Sequence, residues 1–270
     1  MTAGVLTQAD PRHLRTLLQA QEKKRGFLIA FEGPDGSGKT TQRKLFKTWL
    51  RSVGHEVVTF KWNESPVVKP LLRARKLAHS LSPEEYCVLS AAGFRQQLEQ
   101  EILPALWDGK TVLADRYLFT AFARDAARGL ELGWIMNAYL PLFWPDMVFY
   151  FEIDAALSSQ RVSASRKPKY YEAGQDITNI SDPIRSHRAF VARMIQEYDA
   201  LAKIFQFLKV DGRQSIYEQH REIRKLFMLS HRRRWAEWNT DAVLTWLSSK
   251  DEIASVQSAP TSQEKDQQDS

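Results

Sequence analysis

The sequence has little cysteine and no long apolar run. Cys87 is the single cysteine among 270 residues, which excludes a disulfide framework and favours a reducing compartment. No stretch approaches the roughly 20 apolar residues that cross a bilayer, and the opening MTAGVLTQADPRHLR lacks the apolar core of a secretory signal. The six histidines show no metal-ligand spacing. We therefore expect a cytoplasmic protein without membrane contact.

Positive charge is in excess, with 38 Lys and Arg against 32 Asp and Glu and a net charge of +6. Such a balance suits either nucleic acid or small phosphate-bearing substrates, which also gather lysine and arginine in a cleft. No nucleic-acid-binding motif is present, so we favour the second interpretation and expect no nucleic-acid partner. The basic cluster 231–234 alone leaves a nucleic-acid or acidic partner open.

Short apolar runs alternate with helical patterns over about 200 residues. The runs predict five strands, at 27–32, 56–62, 111–115, 147–153 and 205–210. Between them, Leu45, Trp49 and Val53 are spaced as in a helix, and Ser82 caps a long helix that runs to about Trp107. This alternation predicts an α/β protein with a doubly wound, five-stranded parallel sheet covered on both faces.

A glycine-rich segment after the first strand fits the phosphate-loop pattern G-x-x-x-x-G-K-[ST] in full. Its backbone N–H groups and the following helix N-terminus suit an anion, Lys39 suits the β- and γ-phosphates of ATP, and the Thr40 hydroxyl suits Mg²⁺. A glycine-rich turn without a ligand would need neither the lysine nor the hydroxyl. The predicted nucleotide-binding residues are Gly33, Pro34, Asp35, Gly36, Ser37, Gly38, Lys39, Thr40 and Thr41.

Asp115 and Arg116 follow the third predicted strand, at the sheet edge where ligands bind in open α/β folds. Asp115 is a candidate for holding Mg²⁺ together with Thr40, and Arg116 for gripping a phosphate through two hydrogen bonds. A structural ion pair is the alternative.

Four segments in order resemble the thymidylate kinases: FEGPDGSGKTTQ, LSPEEYCVLSAA, EQEILPALWDGKTVLADRY, and WPDMVFYFEID followed by Arg161. The resemblance covers roughly residues 27 to 228. It implies a P-loop nucleoside monophosphate kinase of bacterial type that uses Mg-ATP, has a mobile lid and forms a homodimer. The chain then divides into an N-terminal helical extension at 1–25, the kinase domain at 26–230, and a basic helix with a disordered polar tail at 231–270.

Further roles follow from the resemblance. Asp35 matches the acid that faces the acceptor's sugar and phosphate, and Arg73 lies near the arginine that binds the acceptor phosphate. The lid corresponds to the basic stretch from Arg161 through Arg166 to Gly174, and both arginines are expected to stabilise the transferring phosphoryl group. A surface basic loop is the alternative for this stretch.

The resemblance weakens where the base should bind. Aligned without gaps, Ser90 takes the place of a phenylalanine that stacks on thymine, and Phe94 that of an arginine that hydrogen-bonds it. We expect altered base recognition, in which Arg95 swings in through a local bulge, or Phe94 stacks with Trp62 or Tyr117 opposite it.

Two other functions fit the same motifs. One is a P-loop kinase for a different phosphorylated or polyphosphate acceptor. The other is a non-catalytic nucleotide-sensing protein, for which a damaged phosphate loop or a missing Asp115-Arg116 pair is expected, and neither is found.

Overall fold

The structure is a computed structural model and describes residues 26–230. The predicted N-terminal helix and the basic tail lie outside these residues.

Five parallel strands form one sheet: β1 (Phe27–Glu32), β2 (Val57–Lys61), β3 (Thr111–Asp115), β4 (Met147–Glu152) and β5 (Leu208–Asp211). Their order is β2-β3-β1-β4-β5. Strand β1 is therefore central, with β3 beside it on one side and β4 on the other. The pairing places Phe31 opposite Asp115. The carboxyl ends of β1 and β3 therefore bring their following loops together, at the position where open α/β sheets bind ligands. The predicted five-stranded parallel sheet is confirmed.

The helices are α1 (Lys39–Ser52), α2 (Lys69–Leu77), α3 (Pro83–Gln97), α4 (Leu103–Trp107), α5 (Leu118–Ala126), α6 (Leu132–Ala138), α7 (Ala155–Ser165), α8 (Pro183–Ile204) and α9 (Ile216–Ser230). A π-helical turn, Leu98–Ile102, joins α3 to α4. Helices α1 and α9 pack together on the sheet, and α8 packs against α5 and α7. Among the described residues, no helix is both long and apolar enough to cross a membrane.

The predicted Ser82 cap of α3 is present, and Glu85, which could have completed a capping box with it, binds another helix. Ser82 Oγ accepts a hydrogen bond of 3.1 Å from the backbone N–H of Glu85, which satisfies one of the free donors of the first turn. The Glu85 carboxylate binds Arg75 of α2 through bonds of 2.8 and 2.6 Å instead of closing the capping box. The cap thereby also ties α2 to α3.

The buried face of α1 differs from the stripe that its spacing suggested. Leu45 and Val53 are 38% and 53% exposed. Phe46 and Leu50, each one position after a residue of that stripe, are instead fully buried against Phe31 and Phe149 of the sheet. Two neighbouring apolar stripes run along this helix, and periodicity alone did not decide which one faces the sheet.

The last strand also begins later than predicted. Phe205 ends α8 and Gln206 has a positive φ of 47°, so the chain turns before β5 starts at Leu208.

Candidate active site

The loop between β1 and α1 combines close backbone approach with left-handed glycines. Gly36 and Gly38 have φ values of 74° and 93°, which non-glycine residues rarely adopt. A Cβ atom on Gly36 would lie 3.0 Å from the carbonyl oxygen of Ser158. Helix α1 begins with no side-chain cap and no acidic residue in its first turn. Its first N–H groups therefore suit an anion.

Lys39 and Ser37 turn polar groups toward this loop. Lys39 is almost fully buried, and its Nζ donates 2.9 Å to the carbonyl of Pro34 and lies 3.7 Å from Asp35 Oδ1. Burial, together with the nearby Arg116, lowers the pKa of Lys39 to about 8. The buried Ser37 hydroxyl has no hydrogen-bond partner within residues 26–230. These groups fit the phosphates of a nucleotide, which would satisfy them.

Thr40 and Asp115, the two residues predicted to hold Mg²⁺, lie in contact. The Thr40 hydroxyl donates to Asp115 Oδ1 at 3.3 Å, and Arg43 Nε donates to Asp115 Oδ2 at 3.3 Å. An alcohol and a carboxylate beside a phosphate loop are oxygen ligands of the kind that Mg²⁺ prefers. The pair therefore fits Mg²⁺ bound with a nucleotide. Arg43 carries no motif signal beyond its place on α1.

Asp35 and Arg116 are joined across the cleft by an ion pair of 2.5 Å. Arg116 also donates to the carbonyl of Gly33 at 3.2 Å. Burial would raise the pKa of Asp35, but Arg116 and then Lys39 outweigh it and hold that pKa well below its usual range. Arg116 has a φ of 69°, a strained conformation that such sites tolerate when it aims a side chain.

Glu32, at the end of β1, holds these loops in place and lies outside the phosphate-loop pattern. It is fully buried and accepts hydrogen bonds from the backbone N–H of Tyr117 at 2.9 Å and of Thr120 at 3.2 Å. It thus caps the N-terminus of α5, whose own N-cap residue Tyr117 makes no side-chain cap bond. Burial raises the pKa of Glu32 despite these donors. In the sequence, the signal for this role is a carboxylate at the end of an otherwise apolar strand.

Beyond the ion pair, the cleft extends to a wall built around Arg124. The Arg124 guanidinium lies 4.5 Å from the ring centre of Trp62 and 4.0 Å from that of Tyr86. It also makes bonds of 2.5 and 2.6 Å to the fully buried Asp125 carboxylate. Burial would lower the pKa of Arg124, but Asp125 outweighs this and the pKa is raised. The cleft therefore ends in a permanently charged, hydrogen-bond-donating surface.

The residues predicted to contact the base lie behind this wall. Ser90 is fully buried, with its Oγ 3.4 Å from Arg124 Nη1. Phe94 and Tyr117 are buried and pack edge to face against each other at 5.0 Å. Arg95 pairs with Glu99 at 2.5 Å on the surface of α3. None of the four is among the cleft-lining residues that the structure describes, whereas Trp62 is.

The proposed lid segment lies against the cleft in this structure. Arg161, expected to face the phosphoryl group, instead donates to the carbonyls of Gly36 at 3.1 Å and Gly212 at 2.8 Å. Arg166 lines the cleft, is half exposed and pairs with Glu172 at 2.6 Å. Arg161 thus braces the phosphate loop, and Arg166 presents charge to the cleft.

Two aromatic contacts join the lid segment to the far side of the cleft. Tyr170 stacks on His79 with ring centres 3.9 Å apart, and the Tyr171 hydroxyl accepts a hydrogen bond of 2.8 Å from the backbone N–H of Leu81. Both partners precede α3, so the lid segment bridges to the elements that carry Arg73 and Tyr86.

Over most of its length the chain is similar to proteins of one family. The family model for thymidylate kinase matches residues 31–223. A probable thymidylate kinase 2 of Saccharolobus solfataricus is 33% identical over 204 residues, which cover 75% of this chain and 95% of the relative. The chain belongs to the thymidylate kinase family. A thymidylate kinase of Nitrosomonas eutropha is 31% identical over 207 residues, covering 72% and 89% of the two chains.

The thymidylate kinase cleft of this chain has a volume of about 1230 Å³. Eleven lysine or arginine residues line it, against four aspartate or glutamate residues. ATP and a nucleoside monophosphate together bring about six negative charges. The charge excess of the cleft therefore matches two phosphate-bearing nucleotides.

Proposed function

We propose that this chain transfers the γ-phosphoryl group of ATP to the phosphate of dTMP or a closely related nucleoside monophosphate. The observation that carries the proposal is one cleft in which the phosphate loop, the Thr40–Asp115 pair and the Asp35–Arg116 pair lie side by side. The first two suit Mg-ATP and the third suits a phosphorylated acceptor.

On the donor side, the backbone N–H groups of the loop and the Lys39 ammonium bind the β- and γ-phosphates. Thr40 and Asp115 would hold Mg²⁺, which would supply neutralising charge on the phosphate oxygens when bound. The Lys39 ammonium already lies inside the loop and pairs only weakly with Asp35 at 3.7 Å. It can therefore exchange the Pro34 carbonyl for a phosphate oxygen with little movement, and such a preorganised charge stabilises the transition state.

On the acceptor side, Arg116 and Arg73 grip the phosphate that attacks ATP. Both line the cleft, and Arg73 is exposed at its rim on α2. Asp35 fixes the Arg116 guanidinium through the ion pair of 2.5 Å. A guanidinium held in this way presents its remaining N–H groups in a fixed plane, which suits two hydrogen bonds to one phosphate.

The transferring phosphoryl group needs positive charge from the lid segment. Arg166 and Lys169 line the cleft. Arg166 is half exposed, and to reach the phosphoryl group it exchanges the two hydrogen bonds of 2.6 Å that it now makes to Glu172 for bonds to phosphate oxygens. Arg161 supports the step from behind through its bonds to Gly36 and Gly212. The segment moves during turnover in this proposal, since an arginine that arrives with closure accelerates such reactions.

The base is recognised at the Arg124 wall. A guanidinium donates hydrogen bonds and accepts none, so Arg124 favours a base edge with hydrogen-bond acceptors, such as the carbonyl oxygens of thymine and uracil. The Trp62 indole N–H, buried and without a partner among the described residues, offers a second donor beside it. Ser90 and Phe94 act indirectly, through their packing on Arg124 and Tyr117.

The two alternative functions lack comparable support. A non-catalytic sensor does not need the Thr40–Asp115 pair beside an intact loop. A polyphosphate acceptor does not need a wall in which Tyr86 and Trp62 enclose an arginine.

The homodimer and the cytoplasmic location also belong to the proposal. Val88 on α3 and Trp107 on α4 are 49% and 44% exposed, which supports an apolar contact between subunits. Light scattering on the eluting protein gives the mass, and a monomer at micromolar concentration would contradict the dimer.

A coupled ADP-release assay tests the acceptor. The panel contains dTMP, dUMP, dCMP, dGMP, dAMP and deoxyribose 5-phosphate, each with Mg-ATP. We expect the highest kcat/KM for dTMP or dUMP, whose bases present two carbonyl oxygens, and no activity with the sugar phosphate. ADP release at the same rate with every compound, or at the same rate without any acceptor, would contradict base recognition at Arg124.

A further inference from the structure

Three side chains of metal-binding type meet beside the phosphate loop, apart from the Thr40–Asp115 pair. Asp35 lies in the loop, Glu172 in the lid segment and His187 on α8. One ligand atom from each lies within 4.8 Å of the other two. Bonds of about 2.0–2.4 Å from carboxylate oxygen and imidazole nitrogen to one divalent ion span such a triangle.

His187 is the member of the cluster that points to a ligand. It is fully buried, and its Nδ1 lies 2.6 Å from the Ser159 hydroxyl. Its Nε2 makes no hydrogen bond to any residue in the range 26–230. A buried ring nitrogen without a partner carries a desolvation cost that a ligand would remove. The Ser159 bond to the opposite nitrogen orients the ring, as outer partners do for metal-bound histidines.

The protonation state suits a metal ligand. Burial lowers the pKa of His187, and this outweighs the opposite effect of Asp35 and Glu172. The imidazole is therefore neutral near pH 7, which is the form that coordinates metals.

The surrounding charges set the condition for binding. Asp35 is paired with Arg116 and Lys39, and Glu172 with Arg166. Each carboxylate oxygen keeps lone pairs for a further partner, but three nearby cations repel a divalent ion in the free enzyme. A bound acceptor phosphate adds about two negative charges at this place and reverses that balance.

We propose that Asp35, Glu172 and His187 form a second divalent-cation site that fills together with the acceptor monophosphate. The ion bridges these side chains to the phosphate that Arg116 grips. This inference rests on the proposed acceptor. Because the coupling is reciprocal, the bound ion raises the affinity for the acceptor by the same factor by which the bound acceptor raises the affinity for the ion.

The test uses Mn²⁺ and dTMP without ATP or ADP, so that no donor nucleotide fills the Thr40–Asp115 side. Pulsed electron paramagnetic resonance detects a nitrogen bonded directly to Mn²⁺. Thr40 and Asp115 offer oxygen alone, and a nitrogen signal therefore identifies the histidine site. His187→Phe keeps a planar aromatic ring and removes both nitrogens. His220→Phe, on α9 and away from the cleft, is the matched control. Thermal melting checks the fold of each variant.

We expect the affinity for dTMP to be roughly tenfold or more higher with Mn²⁺ than with a chelator. The wild type and His220→Phe should also show the nitrogen signal. His187→Phe should lose the gain in affinity and the nitrogen signal. Equal dTMP affinity with Mn²⁺ and with chelator, or bound Mn²⁺ without a nitrogen signal in the wild type, would overturn the site whether or not the variant folds. If dTMP binds under neither condition, the acceptor assignment fails instead. The wild-type spectrum with inorganic phosphate then decides the site, and a missing nitrogen signal overturns it.

Discussion

Replacing Arg124 by methionine removes the charge at the centre of the proposed base-recognition wall. Methionine replaces the side chain as far as the position of Nε with an unbranched apolar chain and can still pack against Tyr86 and Trp62. It leaves the Asp125 carboxylate, 0% exposed, without the guanidinium that now binds it at 2.5 and 2.6 Å. The substitution therefore measures how much a buried carboxylate without its ion-pair partner destabilises the fold.

The magnitude follows from that burial. Removing one partner of a buried ion pair costs about 3–5 kcal/mol. The lost cation–π contacts, at 4.0 and 4.5 Å, are offset in part because a thioether also packs favourably on aromatic rings. In a domain of roughly 200 residues, each kcal/mol lowers Tm by about 2–4 °C. We expect Arg124→Met to lower Tm by about 6–20 °C.

Thermal and urea unfolding without nucleotide measure this loss. The double variant Arg124→Met/Asp125→Asn removes both charges and should recover about half of the loss or more, because a neutral pair of similar volume is often tolerated. A single variant within about 1 kcal/mol of the wild type would refute the reasoning. A double variant no more stable than the single one would refute it as well.

Three further predictions concern the phosphate loop and the lid segment. Lys39→Ala should keep its far-UV circular dichroism and lose about 10²–10³-fold or more in kcat, and near-normal kcat in the folded variant would contradict phosphoryl transfer at this loop. Since the pKa of Lys39 is lowered to about 8 and the protonated form binds phosphate, kcat/KM for ATP should fall as pH rises through that value; a flat profile to about pH 9.5 would contradict this. Gly174→Ala should lower Tm more than Gly129→Ala. Both glycines have a positive φ, but an added Cβ would lie 2.4 Å from Phe190 Cγ at Gly174 and would meet nothing within 4 Å at Gly129. Equal shifts in Tm would show that the lid segment does not pack as described.

The elements that form the donor side of the site follow local signals in the sequence. Strands β1 and β3 begin and end where their apolar runs do, and the phosphate loop is contiguous in sequence. The Thr40–Asp115 contact follows once β1 and β3 are neighbours in a parallel sheet. Each of these features depends on a few adjacent residues and on one strand pairing.

The acceptor side depends on tertiary packing that no local pattern encodes. The gapless alignment of α3 passes through the π-helical turn Leu98–Ile102, and such turns change which face a helix presents. Arg124 sits in an apolar stretch of α5 and becomes a cleft residue because its neighbour Asp125 neutralises it inside the protein. His187 carries no motif, and it reaches Asp35 only because α8 packs beside the loop.

The most direct test of the central proposal follows the phosphorus atom itself. Wild-type protein is incubated with Mg²⁺, dTMP and ATP labelled in the γ-phosphate, and the nucleotides are separated. We predict that the label appears in dTDP, in step with ADP, and that Lys39→Ala forms neither. Label released as inorganic phosphate while dTMP stays unchanged would show that the cleft hydrolyses ATP without serving this acceptor, and would contradict the account.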